Sequence, residues 1–296
     1  MKIAIIMAIV LGMAANVMAD FAEDFQAAKK LFKKKDYEAA HQTFVKLAAS
    51  APNGQGKAES LSYAAMALGR RKQYDQALEL AKTIEAKPVA AYTQMAIMNT
   101  NRKQKELIAA FKDEDIGAWP DRINYKGFQL RGAAYIVTKD RQPAVKDFER
   151  CVELAGSDIY TKLEALNDVA GLYHVLKDDA KAMDSYQKAF AIYDDDPDRK
   201  GRGIYPTTLL AAARVLKDQK KYDEALAILA KLPPRHRRNV YGFLFLEAYG
   251  DICIEQGKKD EALAKYQDAV TIKTHQVYID RVNKKVESLK TEGINK

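Results

Sequence analysis

The stretch KKYDEALAILAKLPP, residues 220–234, opens on a basic turn, passes through Tyr222 and Ala225, and sets Leu226, Leu229 and Leu232 at helical spacing before a double proline. Apolar residues three and four apart mark the buried face of a helix, and proline ends it. The same order recurs in KKDYEAAHQTFVKLAASAP (34–52), RKQYDQALELAKTIEAKP (71–88) and GKKDEALAKYQDAV (257–270). A turn, an aromatic or Lys, two spacers, an alanine and a large apolar residue form one supersecondary unit, repeated along the chain.

Aligned on the turn, the units place alanines at Ala40, Ala77, Ala144, Ala182, Ala225 and Ala262, with a degenerate unit around Ile108, at a mean spacing of about 37 residues. An aromatic follows four residues later as Phe44, Phe148, Tyr186 and Tyr266, and a closing proline stands at Pro52, Pro88 and Pro233. Small residues at Ala28, Ala65, Gly132, Ala170, Ala213 and Gly250 suit the close approach of two helix backbones. The third unit, AYTQMAIMNTNRKQKELIAAFKDED (91–115), lacks the aromatic and the usual turn, and Trp119-Pro120 after it predicts a helix break that kinks the stack.

These residues together resemble the tetratricopeptide repeat family. The resemblance implies an all-α fold, a right-handed superhelical solenoid of stacked antiparallel helix pairs. About seven pairs fill residues 20–273, with the third, at about 89–115, degenerate. Residues 274–296 form a capping helix and tail, because HQVYIDRVNKKVESLK (275–290) gathers Val282, Val286 and Leu289 on one face and charges on the other.

The first residues have a different character. Met1-Lys2, the apolar run Ile3 to Ala15, and Val17 and Ala19 in the small-residue pattern read as a secretory signal peptide, residues 1–19, cleaved after Ala19. The alternative is a retained anchor, for which the run is short. No later stretch is long and apolar enough to span a bilayer, so the expectation is an exported, periplasmic chain with no membrane span after cleavage. A hydrophobic share of 48% and 30% charged residues exclude a disordered chain. The net charge of +8 falls to +7 without Lys2, and in an exported chain it favours acidic protein or an anionic envelope surface over nucleic acid. Cys151 and Cys253 fall in different repeats and read as small buried hydrophobes rather than a disulfide.

Nothing in the sequence argues for an enzyme or a cofactor. His41, His174, His236 and His275 belong to separate units without a metal-type partner at helical spacing. SYQK (185–188) matches the Ser-x-x-Lys pattern of acyl-serine enzymes without its two companion motifs. DDDPDRKGRG (194–203) only loosely follows a calcium-loop spacing and reads as a solvated loop.

In the tetratricopeptide family the first helices of successive units line a groove for a peptide or a partner's helix, and the resemblance implies the same here. The positions it selects are Phe25, Lys29, Lys33, Met66 and Arg70, then Gln129, Asn167 and His174, then Glu247, Asp251 and Glu255. They give a groove running from basic to acidic, able to orient an extended ligand. A carboxylate clamp known in part of the family is not matched, since Phe25 and Lys29 stand in its places. The second reading is a module that binds an envelope glycan or polyanion through Lys34, Lys35, Arg235, Arg237 and Arg238, the last three within PPRHRRN (233–239).

Overall fold

The computed structural model describes residues 2–156, 158–195 and 203–294. The Asp-rich loop at 194–203 therefore lies largely outside the described residues. The chain forms two compact units, Met1–Leu154 and Ala155–Lys296. The first holds α1 (Lys2–Lys33), α2 (Tyr37–Ser50), α3 (Gly54–Arg70), α4 (Tyr74–Lys82), α5 (Lys87–Thr100), α6 (Gln104–Phe111), α7 (Asp121–Thr138) and α8 (Arg141–Leu154). The second holds α9 (Ile159–Val175), α10 (Asp179–Asp194), α11 (Ile204–Asp218), α12 (Tyr222–Leu229), α13 (Val240–Glu255), α14 (Lys259–Val270) and α15 (Gln276–Ile294). Odd and even helices pair from α1 through α14, and no strand occurs among the described residues.

Each pair is joined by the same turn. A left-handed residue sits at the equivalent place in all seven: Lys35, Lys72, Arg102, Lys139, Lys177, Lys220 and Gly257. The following amide reaches back five residues to close the helix end, as in Gln73 N to Leu68 O (3.0 Å), Lys221 N to Leu216 O (2.9 Å) and Lys258 N to Cys253 O (2.8 Å). This satisfies carbonyls the helix leaves orphaned. Six of the seven positions carry a cation, which suits the negative end of the helix dipole but lacks glycine's freedom at positive φ. Several helices begin on an Asx side chain, with Asp36 accepting from Ala39 N and Asp178 from Lys181 N, both at 3.2 Å.

Packing inside the pairs follows from residue size. Ala28, Ala65 and Ala170 share buried clusters with Ala40, Ala77 and Ala182 of the matching second helices, and Ala213 and Ala225 are buried in theirs. At Gly132 an added Cβ would lie 2.9 Å from the Phe148 ring, and at Gly250 2.4 Å from the Tyr266 ring, so these pairs admit only glycine there. Phe44, at 0% exposure, contributes about 2 to 3 kcal/mol by leaving water.

The third pair corrects the sequence alignment. Its equivalent of the key alanine is Leu107, fully buried, and not Ile108. Phe111 then falls four residues later, in the aromatic place thought empty, and the turn at Arg102 is the usual one. Met95 replaces the small residue of the first helix, so two large side chains fill the contact that Ala or Gly makes elsewhere. After α6 a 3-10 turn at Ile116–Ala118 leads to extended Trp119, and Pro120 caps α7, so the helix breaks there as expected. Trp119 is buried over Gly127, where a Cβ would meet its ring at 2.5 Å. Arg131 of α7 fixes the short α6. Its guanidinium forks onto Asp147 (2.9 and 2.8 Å) and donates to the carbonyls of Phe111 and Glu114, both at 3.0 Å. Burial pushes the Asp147 carboxyl up, against the pull of Arg131.

In the second unit α15 closes the last pair. Val282 and Val286 are buried with Phe243, Cys253 and Tyr266, and Leu289 packs at the edge.

Candidate ligand-binding groove

In the first unit the odd helices line two adjoining clefts. One, of about 340 Å³, is walled by Tyr63, Met66 and Arg70 of α3, Tyr92 and Asn99 of α5, and Lys126 and Gln129 of α7. The other, of about 250 Å³, shares Tyr63, Met66, Tyr92 and Lys126 and adds Lys29 and Glu59. Arg122 closes an ion pair with Glu59 across it. Burial, helped by Glu59 for Tyr63 and by Tyr63 for Tyr92, pushes both phenols up, so they are neutral hydroxyl donors at neutral pH. Lys29 Nζ stands 6.0 Å from the Phe25 and Tyr63 ring centres.

The structure sorts the sequence-selected residues. Lys29, Met66, Arg70 and Gln129 line these clefts. Phe25 does not; it is 8% exposed and packs on Phe44 and Tyr63, with centroids 5.4 and 5.6 Å apart, because its side of α1 faces the first pair's core. Lys33 is exposed near the helix end. Tyr63, Tyr92 and Lys126 are the residues sequence reasoning missed. Tyr92 stands three residues before Met95, as Gln129 stands three before Gly132, so correct register exposes it; anchoring on Ile108 instead selects Thr93, which is fully buried.

In the second unit a cleft of about 390 Å³ lies between α11 and α13, lined by Leu210, Arg214, Lys217, Leu244, Glu247 and Asp251 among others. The acidic end expected there is corrected. Glu247 is 6% exposed and held by Arg281 (2.8 Å from Nε) and by Lys285 (2.9 Å), both from α15. Burial alone would raise its carboxyl, but these hydrogen bonds and charges hold it below the usual range. Asp251 takes Lys285 at 2.6 Å and the Tyr266 hydroxyl at 2.6 Å, and Glu255 takes Lys217 at 2.7 Å. Each acid therefore meets a cation of its own unit. His174 is likewise engaged, with Nδ1 2.7 Å from Asp179 and Nε2 3.2 Å from Asp218. Asn167 is half-buried, and its Oδ1 lacks a hydrogen-bond partner.

The remaining candidates are surface features. Lys34 and Lys35 are exposed in the first turn, and Arg235, Arg237 and Arg238 are exposed around a 3-10 turn at Pro234–His236. That turn is pressed onto α13, since a Cβ on Gly242 would lie 2.1 Å from the Arg237 carbonyl. Ser185 donates to its own helix at Lys181 O (3.0 Å), while Lys188 pairs with Asp184 (2.7 Å), so they form no dyad. Cys151 and Cys253 are both buried and not joined in a disulfide, and the Cys151 thiol donates to Tyr125 O at 3.6 Å. No helix among the described residues is long and apolar enough to cross a membrane.

Solved structures share the fold. None of the curated proteins compared with the chain matches it. Among solved structures, the C-terminal part of a TPR repeat-containing protein from Cytophaga hutchinsonii is 17% identical, with a TM-score of 0.54, covering 86% of this chain and 98% of that one. BtubC from P. vanneervenii is 14% identical with a TM-score of 0.50, covering 70% of this chain and 90% of that one. These likenesses concern the fold. The family model described as a tetratricopeptide repeat-like domain matches residues 133–291, more than half of the chain. With the repeated turns and helix pairs, this places the chain in the tetratricopeptide repeat-like family.

Proposed function

We propose that the chain is an exported, non-enzymatic scaffold that holds a protein or extended peptide in the clefts formed by its odd-numbered helices, in cell-envelope assembly. The observation that carries the reading is the cleft on α3, α5 and α7, where aromatic, cationic and amide side chains converge. Aromatic and Arg or Lys anchors around a partly apolar floor are the usual energetic centre of a protein interface.

Export rests on residues 1–19. The helix α1 runs on through residues 2–19, and Phe21, just beyond them, packs against the core of the first pair. Cleavage after Ala19 leaves Phe21, Phe25 and Ala28 of that core in place. N-terminal sequencing of protein from an envelope fraction tests this, and a chain still beginning at Met1 contradicts cleavage. For the binding function, the chain beginning at Asp20 serves as bait in envelope extract beside a Tyr92→Ala, Met66→Ala variant of equal helicity. A partner retained by the first and released by the second supports the scaffold. Equal retention by both contradicts a role for the cleft.

The anionic-polymer reading keeps only the exposed cations of the two surface turns in its favour.

A further inference from the structure

The clefts of the first unit combine an apolar floor, with Phe32, Met66, Ile97 and Leu130, and polar lining residues that are mostly cations and hydrogen-bond donors. Among the described residues Lys29, Arg70 and Lys126 make no ion pair, and the one carboxylate among the lining residues, Glu59, is already held by Arg122. The two phenols are neutral and add hydroxyl donors, and Asn99 and Gln129 add amides. Elsewhere the pattern is opposite, for the acids lining the α11–α13 cleft, Glu247 and Asp251, are each bonded to a cation. Lys29 is half-buried and Arg70 and Lys126 are exposed at the rim of the apolar floor, where a carboxylate reaching them gains charge-assisted hydrogen bonds.

We infer that the cleft on α3, α5 and α7 takes an acidic peptide segment of a partner protein, its carboxylates on Lys29, Arg70 and Lys126 and a bulky apolar side chain between Tyr63, Met66 and Tyr92. This rests on the scaffold reading and gives its ligand a chemistry. Packed helices stand about 8 to 10 Å apart, so three of them present about 20 Å, the span of about six extended residues. Such a segment places carboxylates and an apolar anchor together where a smooth polyanion offers only charge. The apolar floor selects the peptide; the cations orient it.

The test uses the chain from Asp20 and a fluorescein-labelled peptide of about eight residues carrying Glu-Glu-Leu-Glu-Tyr-Glu, read by anisotropy. Comparison probes are the same peptide with Gln for every Glu, and inorganic polyphosphate of similar charge. The acidic peptide is expected to bind at least about 10-fold tighter than its Gln counterpart. Arg70→Gln and Lys126→Gln, which keep bulk and polarity, should each weaken it several-fold, as should Tyr92→Ala, while an Arg235, Arg237, Arg238→Gln variant leaves it unchanged. Helicity by circular dichroism verifies that each variant folds. Equal binding of the Gln peptide, lost in Tyr92→Ala, overturns the acidic preference and leaves the cleft as a peptide site. Polyphosphate competing as well as the peptide and unaffected by Tyr92→Ala overturns the inference in favour of bare charge attraction. No binding of either peptide, or binding lost only in the surface-arginine variant, overturns both the inference and the cleft reading.

Discussion

Removing the Arg131 guanidinium should loosen the first unit at one identifiable place. Arg131 and Asp147 are 9% and 4% exposed and joined by two hydrogen bonds of 2.9 and 2.8 Å, and the same guanidinium caps the end of α6 through Phe111 O and Glu114 O. Arg131→Met strands a buried carboxylate, which costs about 3 to 5 kcal/mol. Asp147→Leu in the same chain removes the stranded charge and should recover part of that loss. What remains is the pair of carbonyls left without their donor, about 1 to 3 kcal/mol for a buried group. The double variant should therefore lose much less than the sum of the two single variants. Urea unfolding followed by circular dichroism gives the three values, and amide exchange should show α6 opening before α2 and α3 in Arg131→Met. Because α7 also carries Lys126 and Gln129, peptide affinity should fall with it. Additive single effects, or a loss below about 1 kcal/mol for Arg131→Met, would show that the pair does not hold these helices.

Other expectations follow from the same packing. Gly250→Ala, whose Cβ would lie 2.4 Å from the Tyr266 ring, should cost about 1 to 3 kcal/mol, whereas Gly171→Ala, with nothing within 4 Å, should gain about 0.5 to 1 kcal/mol; thermal melts decide both. Lys220→Gly, at φ 62°, should raise stability by about 1 kcal/mol, and Gly257→Ala, at φ 76°, should lower it by a similar amount. The Glu247 carboxyl is held below its usual range, so the stability it lends to α15 is present above the ordinary glutamate pKa and lost as pH falls through the lowered one. Urea midpoints should therefore drop on acidification below about pH 4, and Glu247→Gln should reduce that dependence.

The fold was legible because its rules are local. A turn, a small residue and an aromatic at fixed offsets survive in Ala28, Ala40 and Phe44, and again in Gly250, Ala262 and Tyr266. The third pair was misread by one residue because Leu107 and Met95 exchange small for large on both sides of the contact, which removes the anchor the alignment used. The groove was legible in outline only. Lys29, Met66, Arg70 and Gln129 were found by helix face, but the charge of the last pair depends on cations that arrive 34 and 38 residues later on α15. Spacing along one helix carries no record of such a partner. Phe25 was misplaced for a related reason, since only the tertiary contact with the fully buried Phe44 tells a core aromatic from a groove aromatic.

Photocrosslinking inside intact cells tests the groove most directly, with benzoylphenylalanine placed at Tyr92 in the cleft or at Glu79, a 71% exposed side chain of α4 outside it. A discrete adduct from position 92, absent at 79 and diminished by Arg70→Gln, is the predicted result. Adducts from position 79 with none from 92 would place the partner on another face and contradict the groove.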